Sequence, residues 1–324
     1  MNAVMKNFYR HINLAGIALL LILFSCSGGD GLPTLSGKQE GERIPLRVAG
    51  ASTGIGIGVE SRADDRVELK SGSIGIFLQK NVVNGYDAFT NLEFIYDTPF
   101  WYTAEQILLG EQNATLAAYY PYHDGRVNPV LLRSRRYDKD EDLHYVNFQA
   151  NSTTAAVTLN LSRVYSCIVF NFNNSSGAYT GAGKVTAIQF EGDGIIPVAL
   201  LDMFDLTVQN PGKSVRDILD PFTGLHMAEI SGFTTQFTQT QPGAADCLMI
   251  PSQLQGDIIF TVTVDDAKMS SKVTATQLCG PDGILLEGVK YEINVTIRPK
   301  QLEINSIKKM EWEPIDVVGD YEIQ

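Results

Sequence analysis

Residues 291–299 read "YEINVTIRP". Tyr291, Ile293, Val295 and Ile297 fall on one face of an extended chain, and Glu292, Asn294, Thr296 and Arg298 on the other. A strict period of two is the signature of a strand with one buried and one wetter face. Outward from it the same texture repeats. "SIGIFLQ" (73–79), "LEFIY" (92–96), "ATLAAYYPY" (114–122), "AAVTLNL" (155–161), "SCIVFNF" (166–172) and "VTAIQF" (185–190) are short, β-branched or aromatic runs. So are "FDLTV" (204–208), "CLMIPS" (247–252), "DIIFTVTV" (257–264), "KVTAT" (272–276) and "LEINSI" (302–307). Turn residues separate them. Asn84-Gly85 reads as a hairpin turn, with Asp124-Gly125, Asp193-Gly194 and Asp282-Gly283 as looser ones. Helical period is scarce: Thr103–Leu109 predicts a turn or two, Val215–Leu219 one. Many short strands at this spacing predict an all-β fold of β-sandwiches. The polar stretch "FQANSTTAAVT" marks a boundary near residue 152, giving an N-terminal domain over 44–152 and a C-terminal domain over 153–324.

The chain has 324 residues, 44% of them hydrophobic and 19% charged, which suits a folded protein. Acidic residues outnumber basic ones 37 to 25, for a formal charge of −12. Nucleic acid is a poor partner for that balance, because phosphate binding needs clustered Lys and Arg.

The N-terminus is a targeting segment. Lys6 and Arg10 precede the apolar run Leu14–Phe24, which is short for a span of about 20 residues. It ends at Leu23-Phe24-Ser25-Cys26, similar to a bacterial lipobox. Residues 1–25 would then be removed and Cys26 would carry lipid; an ordinary secretory signal is the other reading. Residues 26–43 are Gly-rich and aperiodic, a flexible tether. Cys167, Cys247 and Cys279 fit no zinc spacing. A Cys247–Cys279 bridge and buried free thiols both remain open.

No catalytic constellation emerges. His123, His144 and His226 are scattered and read as surface or packing residues. Asp138, Asp140 and Asp142 alternate like the start of a calcium loop, but Leu143 stands where its glycine belongs and Gln149 where its glutamate belongs. The stretch predicts a solvated charged loop, with Arg133, Arg135 and Arg136 pairing against its acids. No metal or cofactor is expected, and no enzymatic activity. Aromatic residues collect in "FWYT" (100–103) and "YYPY" (119–122). They suit a sugar-binding platform or, more simply, core and edge packing.

One stretch resists a purely structural reading. In "GIGIGVESRADD" (54–65), Ile55, Ile57 and Val59 alternate with glycines, and the run ends at Glu60-Ser61-Arg62-Ala63. A strand that could enter a core thus stops at a site a trypsin-like protease would cut.

"SRA" before "SIGIF", then "ATLAAYYPY", "CLMIPSQ", "LLEGVKYEINVTI" and "KKMEWEP" together resemble the fimbrillin family, from about Ile44 to Trp312. These are lipoprotein-derived subunits of type V pili in Bacteroidetes. The resemblance implies two transthyretin-like β-sandwiches in tandem, export to the outer membrane on a lipid anchor, and polymerisation by strand exchange. It places a cleavage after Arg62, with Ala63 as the new N-terminus. Residues 44–62 become a removable first strand, with Ile55, Ile57 and Val59 filling a groove. A strand from another subunit can repair the vacated groove by β-augmentation. In the tail "IDVVGDYEIQ" (315–324), Ile315, Val317, Tyr321 and Ile323 share a face. That makes the tail a candidate donor strand, or equally the last strand of the chain's own sheet. The implied partners are other fimbrillin subunits in a head-to-tail polymer, a trypsin-like protease, the outer membrane, and a receptor on a host or bacterial surface. The alternative is a monomeric surface lipoprotein that binds glycan.

Overall fold

Alternation along 291–297 is what the fold uses. The computed structural model describes residues 42–54, 66–204 and 226–312. Tyr291, Ile293, Val295 and Ile297 are all buried in it. In chain order the first strands are β1 (Ile44–Pro45), β2 (Arg47–Gly54), β3 (Val67–Glu68), β4 (Ser73–Leu78), β5 (Phe89–Asp97) and β6 (Phe100–Tyr102). Then come β7 (Leu108–Leu109), β8 (Ala114–Tyr120), β9 (Val130–Arg133), β10 (Arg135–Arg136), β11 (His144–Ala150) and β12 (Ala156–Arg163). The next are β13 (Ser166–Asn173), β14 (Lys184–Asp193), β15 (Val198–Leu201), β16 (Met227–Ile230), β17 (Thr235–Gln236), β18 (Gly243–Met249) and β19 (Ser252–Gln253). The chain continues with β20 (Gln255–Val264), β21 (Ala267–Thr274), the helix α1 (Ala275–Cys279), β22 (Ile284–Leu285), β23 (Val289–Arg298) and β24 (Gln301–Glu311).

Three sheets carry most of the mass. An eight-stranded sheet runs β3-β2-β12-β11-β8-β4-β5-β6. A five-stranded sheet runs β10-β18-β13-β23-β24, and a second runs β16-β14-β20-β21 with β17 added on β14. The two five-stranded sheets share one core. Phe170 of β13 meets Phe190 of β14 and Phe260 of β20 edge to face, at 5.8 and 5.4 Å between centroids. That is a sandwich, with inward residues of both sheets interdigitating. A second core lies within the eight-stranded sheet and includes Ile74, Ile76, Leu116, Trp101 and Leu159. A third joins early and late parts of the chain through Tyr119, Leu132, Tyr165, Leu201, Leu248 and Trp312. Across the same zone β9 pairs with β15 and β10 with β18.

Gly75 in "SIGIF" is required by packing. A Cβ there would fall inside the ring of Tyr119, its partner on β8. Tyr119 cannot retreat, since it stacks on Phe77 at 5.6 Å and is fully buried. Gly75→Ala is therefore expected to lower stability by about 1–3 kcal/mol, read as a drop in the urea midpoint with unchanged slope.

Two local expectations fail. Thr103–Leu109 is not helical: Ile107 and Leu109 are buried around an exposed Leu108, and Leu108–Leu109 pairs with β1. "KVTAT" does not stay extended to its end. Thr274 caps α1, its Oγ1 accepting from the Gln277 amide at 3.2 Å while the Gln277 side chain accepts from the Thr274 amide at 2.8 Å. This reciprocal capping box turns the chain into a helix. The "FDLTV" strand beyond Phe204 and the turn at Val215–Leu219 lie outside the described residues. Asn84-Gly85, Asp124-Gly125, Asp193-Gly194 and Asp282-Gly283 are all turns, each with its glycine at positive φ.

Candidate functional site

The front of the described chain is built into the eight-stranded sheet. β2 runs parallel to β12, from Arg47 opposite Ala156 to Gly54 opposite Ser162. Its other edge meets β3 only at Ser52 and Thr53, with one further bond from the Leu69 amide to the Ala51 carbonyl at 2.8 Å. Ahead of it, the Leu46 amide donates to the Ile107 carbonyl at 2.8 Å. Leu46, Val48 and Ala51 enter the core beside Trp101, Leu159 and Leu161. Burying Leu46 and Val48 is worth about 3–6 kcal/mol together. Thr53 is buried too, but its hydroxyl has no hydrogen-bond partner among the described residues. An unmade bond of that kind costs about 1–3 kcal/mol.

Sequence reasoning missed these residues for a definite reason. A bulge between Val157 and Thr158 skips Ala49, so inward positions run Val48, Ala51, Thr53 rather than every second residue. Ile55, Ile57 and Val59, together with Arg62 and Ala63, lie outside the described residues. They belong to the connection between β2 and β3, whose ends Thr53 and Val67 are direct partners. Cys26 and the tail positions Ile315, Val317, Tyr321 and Ile323 also lie outside the described residues.

β12 depends on β2. On its other side β11 holds it only at His144–Arg163 and Tyr145–Ser162. Both pairs are at the C-terminal end of β12, and there a buried polar cluster sits. Arg163 is 1% exposed and Asp142 is fully buried. Nε of Arg163 lies 2.9 Å from both carboxylate oxygens of Asp142, and a second guanidinium nitrogen lies 2.8 Å away. A third donates to the backbone carbonyl of Trp312 at 3.1 Å. The guanidinium also lies over the Trp312 ring, 3.7 Å from its centroid, and Tyr137 packs edge-on to that ring. Bidentate geometry, a carbonyl acceptor and an aromatic face use most of what an arginine offers. Asp142 is thus not part of a solvated loop, as the sequence led one to expect, because burial in the third core demands a charged partner. Glu141 does conform, pairing with Arg135 at 3.0 Å on the surface. No cluster of metal-ligating side chains exists among the described residues.

His144 is a packing residue in the interior. Its Nδ1 lies 2.9 Å from the Asp142 carbonyl, and Nε2 has no partner among the described residues. Burial disfavours the charged ring and lowers its pKa from 6.5 to about 4, Asp142 pulling up and Arg163 pushing down. The unfolded chain therefore binds the proton first as pH falls. Stability is full above pH 6.5 and declines toward pH 4. From pH 7 to 4.5 the loss from this one group is about 2 kcal/mol. His144→Phe should flatten that part of the pH profile of the urea midpoint; an unchanged slope would remove His144 as its source. His226 sits on the surface, 3.7 Å from Asp193.

The three cysteines are buried free thiols, each with its pKa raised by burial. "FWYT" divides: Trp101 is buried, while Phe100 and Tyr102 are 61% and 53% exposed on one face, beside Ile95. Tyr119 is core, stacked near Tyr122.

A model of the fimbrillin-like family matches residues 61–312, most of the chain, and the protein belongs to that family. It is accordingly a structural protein rather than an enzyme, and its place is the cell surface. No curated protein matches the sequence. Among solved structures, a candidate cell adhesion protein from Bacteroides ovatus is similar at 14% identity and a TM-score of 0.54, over 85% of this chain and 99% of that one. A candidate cell adhesion protein from Bacteroides uniformis gives 16% and 0.49, over 83% and 99%. A fimbrial protein from Bacteroides vulgatus gives 12% and 0.45, over 83% and 99%. At 14% identity the likeness to the Bacteroides ovatus protein is one of fold alone.

Proposed function

We propose that this protein is an adhesive subunit of a surface fimbria, anchored as a lipoprotein through Cys26 and polymerised head to tail by strand exchange. In this reading two sandwiches lie in tandem, and because β12 belongs to the eight-stranded sheet the boundary falls just after it rather than near residue 152. A trypsin-like protease cuts after Arg62, the front strand departs, and the tail of another subunit takes its place beside β12. The observation that carries the reading is the position of β2. With Leu46 just ahead of it, it fills a core with Val48 and Ala51, is paired along its length with β12, and is joined to the body on its C-terminal side through the connection that holds Arg62. Losing it strips both apolar cover and ladder partners, and a new strand restores both. The groove-filling role then belongs to Leu46, Val48 and Ala51 at least as much as to Ile55, Ile57 and Val59.

The test is Arg62→Ala. Wild-type protein treated with a trypsin-like protease should yield a new N-terminus at Ala63 and ladders of oligomers on a gel. The variant should remain one monomeric species. Ladders from the variant, or an uncut Arg62 bond in the assembled wild type, would overturn the reading.

Phe100 and Tyr102 favour a second reading, a glycan-binding surface lipoprotein, because both rings are exposed on one hairpin. Retention on a glycan column that is lost in Phe100→Ala/Tyr102→Ala would support it.

A further inference from the structure

We infer that Arg163 is a positioning residue for the acceptor strand: it pins the C-terminal end of β12, through Asp142 and Trp312, so that the strand survives the departure of β2. The inference rests on the strand-exchange reading above. Among the described residues, β12 has ladder partners on both sides only at Ser162, and Arg163 is paired with β11 alone. From Ala156 to Leu161 its partner is β2 alone. Once β2 leaves, the strand is held by backbone pairing at one end and is otherwise a bare edge. An edge in that state loses its register unless something else fixes it.

Arg163 stands at the held end. Its side chain does not face solvent as a charge closing a strand ordinarily would. It crosses to Asp142, ahead of β11, and to the carbonyl and ring of Trp312, which follows β24. None of these partners lies in β2, so none leaves with it. The cluster joins three segments far apart in sequence at the point where the acceptor strand ends. Trp312 also lies three positions before Ile315, where the candidate donor tail begins. One clamp therefore fixes both the end of this subunit's groove strand and the root of the tail offered to the next. Separation of donor from acceptor along a growing filament would be set by this joint.

Hydrogen exchange read by mass spectrometry on residues 156–163, before and after cleavage at Arg62, tests this. The variant is Asp142→Asn/Arg163→Met, which leaves no lone buried charge; Trp312→Leu removes the ring beneath the guanidinium and keeps the backbone carbonyl. In clipped wild type that has lost its front fragment and is kept dilute enough to run as a monomer, so that no neighbouring tail refills the groove, amides from 157 to 160 should exchange at least about ten-fold faster, while those next to Arg163 keep their protection. Intact wild type and intact variant should agree within about two-fold. The clipped variant should lose protection along the whole strand, and clipped Trp312→Leu should fall between. A clipped variant that keeps the wild-type gradient overturns the pin and leaves strand exchange standing. An intact variant already unprotected also overturns it, since Arg163 would then serve the fold at large. A front fragment that stays bound after cleavage overturns strand exchange, and the pin with it.

Discussion

Arg163→Met should lower the free energy of unfolding by about 3–5 kcal/mol, among the largest effects of any single change in this protein. Methionine nearly fills the volume, so the loss is electrostatic rather than a cavity. Asp142, fully buried, would be left without its bidentate partner. The Trp312 carbonyl would lose its donor and the ring its cation. The double variant Asp142→Asn/Arg163→Met should recover much of the deficit, because a neutral amide is far cheaper to bury than an unpaired carboxylate. Urea unfolding at pH 7 measures both. A single-variant loss below about 1 kcal/mol would mean the cluster is wet or relaxed.

Ending the chain at Trp312 should abolish filament growth while leaving cleavage at Arg62 unaffected. The tail face of Ile315, Val317, Tyr321 and Ile323 would contribute roughly 1.5–3 kcal/mol per buried side chain, before ordering costs. A subunit without it still has an acceptor groove but no donor. Clipped truncated protein should therefore run as a monomer. Mixed with clipped full-length protein it should cap growing ends and shorten the ladders in proportion to its share. Head-to-tail insertion does not close on itself, so an intact donor gives an open filament and a missing one ends it. Ladders from the truncated protein alone would exclude the tail as donor and leave it as a strand of the chain's own sheet.

Much of the candidate site was hidden for identifiable reasons. Val48 and Ala51 escape an alternation search because the bulge at Ala49 sets them three positions apart, with two residues between them. Arg163 closes "AAVTLNLSR", where a charge after an apolar run reads as a solvated strand end. What buries it is a carboxylate 21 positions back and a tryptophan 149 positions on, both too far for any local pattern. Asp142 is hidden in the same way beside three other acidic residues in "DKDED". By contrast Gly75 was legible as part of a strand, though not as the gap that Tyr119 fills.

Local pattern is enough for the all-β class, for most strand positions and for the turns, since a period of two and a glycine at positive φ are properties of a few adjacent residues. The ordered stretches from "SRA" to "KKMEWEP" are likewise local, and together they resemble a fimbrillin-like chain before any coordinates. Which strands become neighbours is another matter. The parallel pairing of β2 with β12, the parallel pairing of β13 with β23 and the crossing of β9 to β15 each join segments remote in sequence. Such contacts are selected by how apolar faces and buried charges satisfy one another in three dimensions. Only there does the front strand acquire a groove, and only there does Arg163 find the two partners that hold it.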